Sequence, residues 1–173
     1  MASYNARTGA RIADDTHKVV RASFTRPANT TAYAAGDVVN GDGVLVPVTV
    51  AGAARRDGGS GVIEYVALET NNVTVTNGTF RVHFFNASHA TAADNAAFAS
   101  LHANRAAYVG FADLTILVAD SASATGAQTQ VDVNIPFVCA SDDDDLYAVV
   151  VATGAYTPAS GQVFQLTVGV RRD

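Results

Sequence analysis

Val131-Asp132-Val133-Asn134-Ile135-Pro136-Phe137 alternates residue by residue, with Val131, Val133, Ile135 and Phe137 on one side and Asp132, Asn134 and Pro136 on the other. Val163-Phe164-Gln165-Leu166-Thr167-Val168-Gly169-Val170-Arg171 repeats the pattern, gathering Phe164, Leu166, Val168 and Val170. Side chains that separate with a period of two belong to a strand with one buried face and one wet face. Outward from these runs, His17 to Arg26 reads as a strand anchored by Val19, Val20 and Phe24. Asp37 to Asn40, Val44 to Val50, Val62 to Thr70, Tyr108 to Ala119 and Leu146 to Thr153 read the same way. A chain of about eight or nine such strands is expected to be all-β, a single-domain antiparallel β-sandwich.

Turn chemistry separates the strands. Asn40-Gly41-Asp42-Gly43 splits two short runs, and Pro47 puts the second at a sheet edge, because proline cannot donate to a ladder. Asn77-Gly78 predicts a two-residue hairpin in which Val75 faces Phe80 and Val73 faces Val82. Arg81 and His83 then share the opposite face. Ala92 to Ala106 breaks the alternation and predicts one short helix near 94–104, with Asp94 able to cap it and Phe98 and Leu101 three apart. Residues 1–15 are polar and Gly/Ala-rich and read as an extended N-terminal arm, leaving 16–173 as the sandwich domain.

Composition narrows the function. Charged residues make up 16% and the net charge is −5, with Lys18 the single lysine. Nucleic-acid binding needs clustered cations, and the arginines are scattered, so no nucleic-acid partner is expected. The amino terminus has no apolar signal core and no run is long enough to span a membrane, so synthesis in a cytoplasm and no membrane partner are expected. The Asn-x-Ser/Thr matches at Asn29, Asn72, Asn77 and Asn86 then carry no glycan. The one cysteine, Cys139, has no internal disulfide partner and reads as a small buried hydrophobe.

Catalytic constellations do not assemble. His17, His83, His89 and His102 include no pair with metal-site spacing, and His83 and His89, flanking a bend, read as two exposed imidazoles. Ser60 lies in Gly58-Gly59-Ser60-Gly61-Val62, where the nucleophile elbow would need glycine at 62. Glu64 and Glu69 are the only glutamates and, in a regular strand, fall on opposite faces. The dense charge cluster Asp142-Asp143-Asp144-Asp145 is a weak candidate for a Ca²⁺ or Mg²⁺ site. It lacks the spaced ligands and glycine of a dedicated loop, and the simpler reading is a solvated loop that keeps the protein soluble or meets a basic partner. No enzyme activity and no cofactor are expected.

Three segments resemble proteins of tailed-bacteriophage structural gene clusters. The first is Ala22-Ser23-Phe24-Thr25-Arg26-Pro27-Ala28-Asn29-Thr30-Thr31-Ala32-Tyr33-Ala34-Ala35-Gly36-Asp37-Val38-Val39. The second is Arg81-Val82-His83-Phe84-Phe85-Asn86 with Ala92-Ala93-Asp94-Asn95-Ala96-Ala97-Phe98 and Tyr108-Val109-Gly110. The third is Leu146-Tyr147-Ala148 with Gly154-Ala155-Tyr156-Thr157-Pro158-Ala159-Ser160-Gly161-Gln162-Val163-Phe164. The resemblance implies a jelly-roll-like sandwich and a virion protein on the capsid outer surface, a cement or decoration protein that bridges capsomers. It implies the major capsid protein as partner and self-association, with a homotrimer as the candidate state. It brings no catalytic residues.

A competing reading is a receptor- or glycan-binding domain of a head fibre or tail. Against it, the chain has no tryptophan, and Tyr4, Tyr33, Tyr65, Tyr108, Tyr147 and Tyr156 do not cluster in one loop. A hydrolase on a β scaffold is a distant third.

Overall fold

The computed structural model describes residues 16–72, 78–115 and 126–173. Among them the chain forms β1 (His17–Thr25), β2 (Val38–Val39), β3 (Val48–Val50), β4 (Ser60–Thr70) and β5 (Thr79–Phe85). After α1 (Ser100–Ala103) come β6 (Tyr108–Thr115), β7 (Ala127–Val138), β8 (Leu146–Ala152) and β9 (Val163–Arg172). One sheet has the order β1-β9-β4-β7. The other runs β2-β8-β5-β6, and β3 also pairs with β8. All pairings are antiparallel.

The pairing order explains the architecture. β2 and β3 lie along one edge of β8, Val38 facing Val151 and Val48 facing Ala148. Taken as one strand, they complete a nested set in which first pairs with last and each later strand pairs further inward: β1 with β9, β2/β3 with β8, β4 with β7, β5 with β6. Successive pairs fall in alternate sheets. This is one long hairpin rolled into two facing layers, the jelly-roll form of the sandwich.

The alternating runs do what their pattern requires. Phe164, Leu166, Val168 and Val170 of β9 are buried between the sheets, as are Phe80, Val82 and Phe84 of β5. Phe80 meets Tyr156 and Phe164 edge-on, with centroids 5.4 and 5.8 Å apart. β8 reads Leu146-Tyr147-Ala148-Val149-Val150-Val151-Ala152 because it is covered on both sides. Its inner face joins the main core, and a second cluster of Val38, Phe85, Val149 and Val151 lies on the outer face. Residues 86–107 form that outer cover, held by Asn86 N–H to Ala107 O, Val38 N–H to Ala96 O and Thr91 N–H to Leu45 O.

Four expectations change. The Asn77-Gly78 hairpin does not form from β5: residues 73–77 lie outside the described residues, but both edges of β5 are occupied. Phe80 faces Leu114 on one side and Ala152 on the other. The turn signal is local, and the long-range ladders outcompete it. Asp94 does not cap the helix, because α1 starts at Ser100 and spans four residues. Val19 does not anchor β1: it is 44% exposed, while Val20 and Phe24 pack on the core. A β-bulge between Ile63 and Tyr65 shifts the register of β4. The buried positions after it are Val66, Leu68 and Thr70, so Glu64 and Glu69 share the outer face.

Candidate functional site

The aspartate cluster is tied into its own loop. Asp143, Asp144 and Asp145 each bring one oxygen within 4.8 Å of the others, and Asp142 stays outside the group. Asp143 accepts from Tyr147 O–H at 2.5 Å and from Asp145 N–H at 3.0 Å. Asp145 accepts from Gly52 N–H at 2.6 Å, and Lys18 Nζ donates to Ala51 O at 2.8 Å. The Tyr147 bond holds the Asp143 carboxyl below its ordinary range, whereas burial raises Asp145. Both oxygens of Asp143 and one of Asp145 thus already accept from N–H and O–H donors of the protein. The cluster fastens the β7–β8 turn to the β3–β4 loop.

The three segments carrying the phage resemblance converge on one buried polar network. Arg26 follows the end of β1 with its side chain fully buried, 3.3 Å from Asp94, which is 4% exposed. Arg26 Nε donates to Tyr33 Oη at 2.9 Å, and Tyr33 O–H donates to Asp94 Oδ1 at 2.5 Å. Arg26 Nη1 also donates to the carbonyls of Asn29 and Ala159, and Asn40 N–H donates to Asp94. Tyr33 stacks on Tyr156 at 6.0 Å, and Tyr156 O–H donates to Gln162 Oε1 at 2.7 Å. Burial and the Asp94 carboxylate push the Tyr33 phenol up, and burial pushes Tyr156 up to about 12, so both act as neutral donors. Segment one supplies Arg26, Asn29 and Tyr33, segment two Asp94, and segment three Tyr156, Ala159 and Gln162. Every partner is internal, so the network is a clamp on the fold.

A third group lies on the outer face of the second sheet, where Arg81 and His83 sit side by side as expected. Arg81 faces Asp113 and Val151, and His83 faces Phe111 and Val149. Arg81 grips Asp113 through Nε at 2.6 Å and Nη2 at 2.8 Å, with its guanidinium 4.0 Å from the Phe111 ring centre. His83 is 6% exposed rather than open to water. It stacks on Phe98 at 4.8 Å and lies 3.3 Å from Tyr108 Oη through Nδ1. His89 packs separately against Phe85 at 4.3 Å, so the two imidazoles are partners of different rings rather than of one metal. Beside His83 an open cleft of about 420 Å³ runs between Arg81, Phe98, Gly36 and Thr153. The Arg81–His83 alternation was legible from the chain, but Phe98 and Gly36 come from distant segments that no local pattern links to it.

Burial lowers the His83 pKa to about 4, with the Arg81 charge adding and Asp113 opposing. The unfolded chain therefore binds this proton more readily, and stability falls as pH drops from about 6.5 towards 4. The gap to the ordinary 6.5 is worth about 3 kcal/mol. Thermal unfolding across that window is expected to show this loss, and His83→Gln is expected to flatten it. An unchanged slope in the variant would assign the effect elsewhere.

The remaining candidates stay apart. Ser60 Oγ donates to Asp173 at 2.9 Å, and its neighbour Gly61 lies under Phe137 and the Arg171 carbonyl. Cys139 is 4% exposed and its thiol is pushed up to about 11, chiefly by burial. Glu64 accepts from Arg171 Nε at 3.2 Å and lies 3.6 Å from His17. His102 meets Arg105 near α1.

No family model matches the chain, and no curated protein matches it either. Among solved structures, the chain is similar to one of the acidic stable capsid of Helicobacter pylori bacteriophage KHP30, at 16% identity and a TM-score of 0.34. That match covers 90% of this chain and 87% of the other. The chain is also similar to the PRD1 vertex protein P5, at 14% identity and a TM-score of 0.34, over 89% of this chain and 97% of that one.

Proposed function

We propose that this chain is a structural protein of a tailed-bacteriophage virion, a capsid cement or decoration protein seated on the outer shell. The observation that carries the reading is the convergence of the three resembling segments on the Arg26–Asp94 network. Segments far apart in the sequence thus meet as one structural unit in the fold, as a single stable virion subunit requires.

The surface is compatible with assembly. The outer face of the first sheet has no covering layer among the described residues, whereas residues 86–107 cover much of the second. Among the described residues β1 pairs only with β9, β6 only with β5 and β7 only with β4, so each of the three has one edge without a ladder partner there. Such edges accept a strand from a neighbour through main-chain hydrogen bonds. Val44, Leu45 and Val46 are exposed together, while Asn40 Nδ2 fixes their backbone by donating to the carbonyls of Val44 and Val46. Partners in this reading are the major capsid protein and further copies of this chain. Repeated contacts on one shell then add through effective concentration.

Copy number in purified virions tests the role. Near-equimolar amounts with the major capsid protein, or one trimer per capsomer contact, are expected. Absence from virions would overturn the proposal, and a handful of copies would move the protein to a vertex, fibre or tail. Deleting residues 1–15 is expected to leave the thermal transition in place and to weaken capsid attachment. A truncated chain that fails to fold would make the arm part of the core.

A further inference from the structure

The cover over the second sheet is held unevenly along its length. Its middle is pinned: Asp94 is gripped by Arg26, Asn95 N–H donates to Val38 O at 2.9 Å, and Val38 N–H donates to Ala96 O at 2.9 Å. Residues 98–107, with α1 at their centre, are fastened at their two ends. Phe98 N–H donates to Gly36 O at 2.8 Å, and Ala107 O accepts from Asn86 N–H at 2.9 Å. Among the described side chains of this segment, Phe98 and Ala107 pack on the outer cluster. Ala99, His102, Ala103, Arg105 and Ala106 are exposed. A segment with little apolar surface buried lies at the low end of local stability.

What this segment covers is titratable. Phe98 stacks on the His83 ring at 4.8 Å, and His83 is buried although its strand turns it to the outer face. Phe98, His83 and Gly36 also line the open cleft of about 420 Å³, so solvent borders the stack. From β6 come the Tyr108 phenol, 3.3 Å from His83 Nδ1, and Asp113. From β5 comes Arg81, which already grips Asp113, and β8 brings the neutral Val149. The other ionisable groups of the cover are engaged elsewhere: His89 on Phe85, Asp94 on Arg26, and His102 with Arg105. Burial and the Arg81 charge disfavour the imidazolium while Phe98 is in place. The closed segment thus binds the proton less readily than an open one, and falling pH shifts the balance towards opening.

We propose that residues 98–107 are a lid that opens in mild acid as His83 takes up a proton, uncovering the apolar outer face of β8 at Val149 and Val151. The Arg26–Asp94 clamp holds the hinge at one end and the start of β6 holds the other. The device belongs to the isolated subunit and does not depend on the virion role.

Hydrogen exchange on the full chain tests it, with each amide's protection taken relative to an unstructured peptide at the same pH. The gap between about 4 and 6.5 for His83 sets the expected loss of protection at Phe98 N–H, roughly twentyfold between pH 7 and pH 5. Global unfolding would take up the same proton, so dilute urea separates the two. Exchange at Phe98 is expected to be insensitive to urea, the mark of a local opening, while Val168 in β9 loses protection as urea rises. His83→Gln is expected to make the Phe98 protection equal at the two pH values. Phe98→Ala, which removes the wedge, is expected to move the His83 titration, followed by NMR, up towards 6.5. A Phe98 amide that tracks Val168 with urea would place proton uptake in global unfolding and overturn the proposal. So would a His83 titration that stays near 4 in Phe98→Ala, because the lid would then not be what buries the ring.

Discussion

Replacing Arg26 with alanine is expected to cost about 3–5 kcal/mol of stability, the range for stranding one partner of a buried ion pair. For a chain of this size that corresponds to a fall of roughly 6–20 °C in Tm. The reason lies in what remains. Asp94, 4% exposed, would keep its bonds from Tyr33 and Asn40 but lose the only cation facing it in the described structure. The carbonyls of Asn29 and Ala159 would lose their donor as well. Asp94→Ala is expected to be at least as costly, since it strands a fully buried guanidinium. The double variant should lose less than the sum of the two, because the second change removes a charge the first left unpaired. Calorimetry on all three variants measures this, and strictly additive losses would mean that the pair is not coupled.

The same residues show what could be read from the chain. The sandwich was legible because burial alternates along β1, β7 and the first half of β9, and alternation survives any arrangement of partners. Partner choice was not legible. Asn77-Gly78 is a sound local turn signal, yet Phe80 is flanked by Leu114 and Ala152, one 34 residues away in sequence and the other further still. The bulge at Glu64 was equally invisible, since one extra residue in a ladder leaves no mark on composition. Gly169 offers a partial clue: a side chain there would run into the Tyr65 ring, so a glycine in an otherwise alternating strand marked a close approach.

The candidate sites divide along the same line. The aspartate run was conspicuous because its members are adjacent, and the structure brings three of the four together. Arg26 and Asp94 were not conspicuous, since 68 residues separate them and each reads alone as an ordinary turn or cap residue. They lay, however, inside the segments that carried the phage resemblance. A recognisable stretch can thus record the residues that close a fold before it records those that serve a function. His83 shows the converse. Its alternation with Arg81 placed it on the outer face, where exposure is the default expectation, but residues 86–107 fold over that face and bury it.

Phe80 and Phe111 test this two-sided reading of the second sheet directly. Phe80 is fully buried between the sheets against Tyr156 and Phe164, so Phe80→Ala is expected to cost about 3–5 kcal/mol. Phe111 is 45% exposed on the edge strand β6 and stacks chiefly under Arg81. Its loss is expected to cost no more than about 1 kcal/mol, the scale of an exposed cation–π contact. Urea denaturation of the two variants separates the cases, because a one-residue slip of β6 would exchange the faces and bring Phe111 inside. If Phe111→Ala proved as costly as Phe80→Ala in dilute protein, the register of β6 would be wrong. If its cost appeared only as protein concentration rose, the missing burial would come from a second copy seated on the β6 edge. That outcome would locate the self-association surface of the proposed decoration protein on the edge beside the cleft.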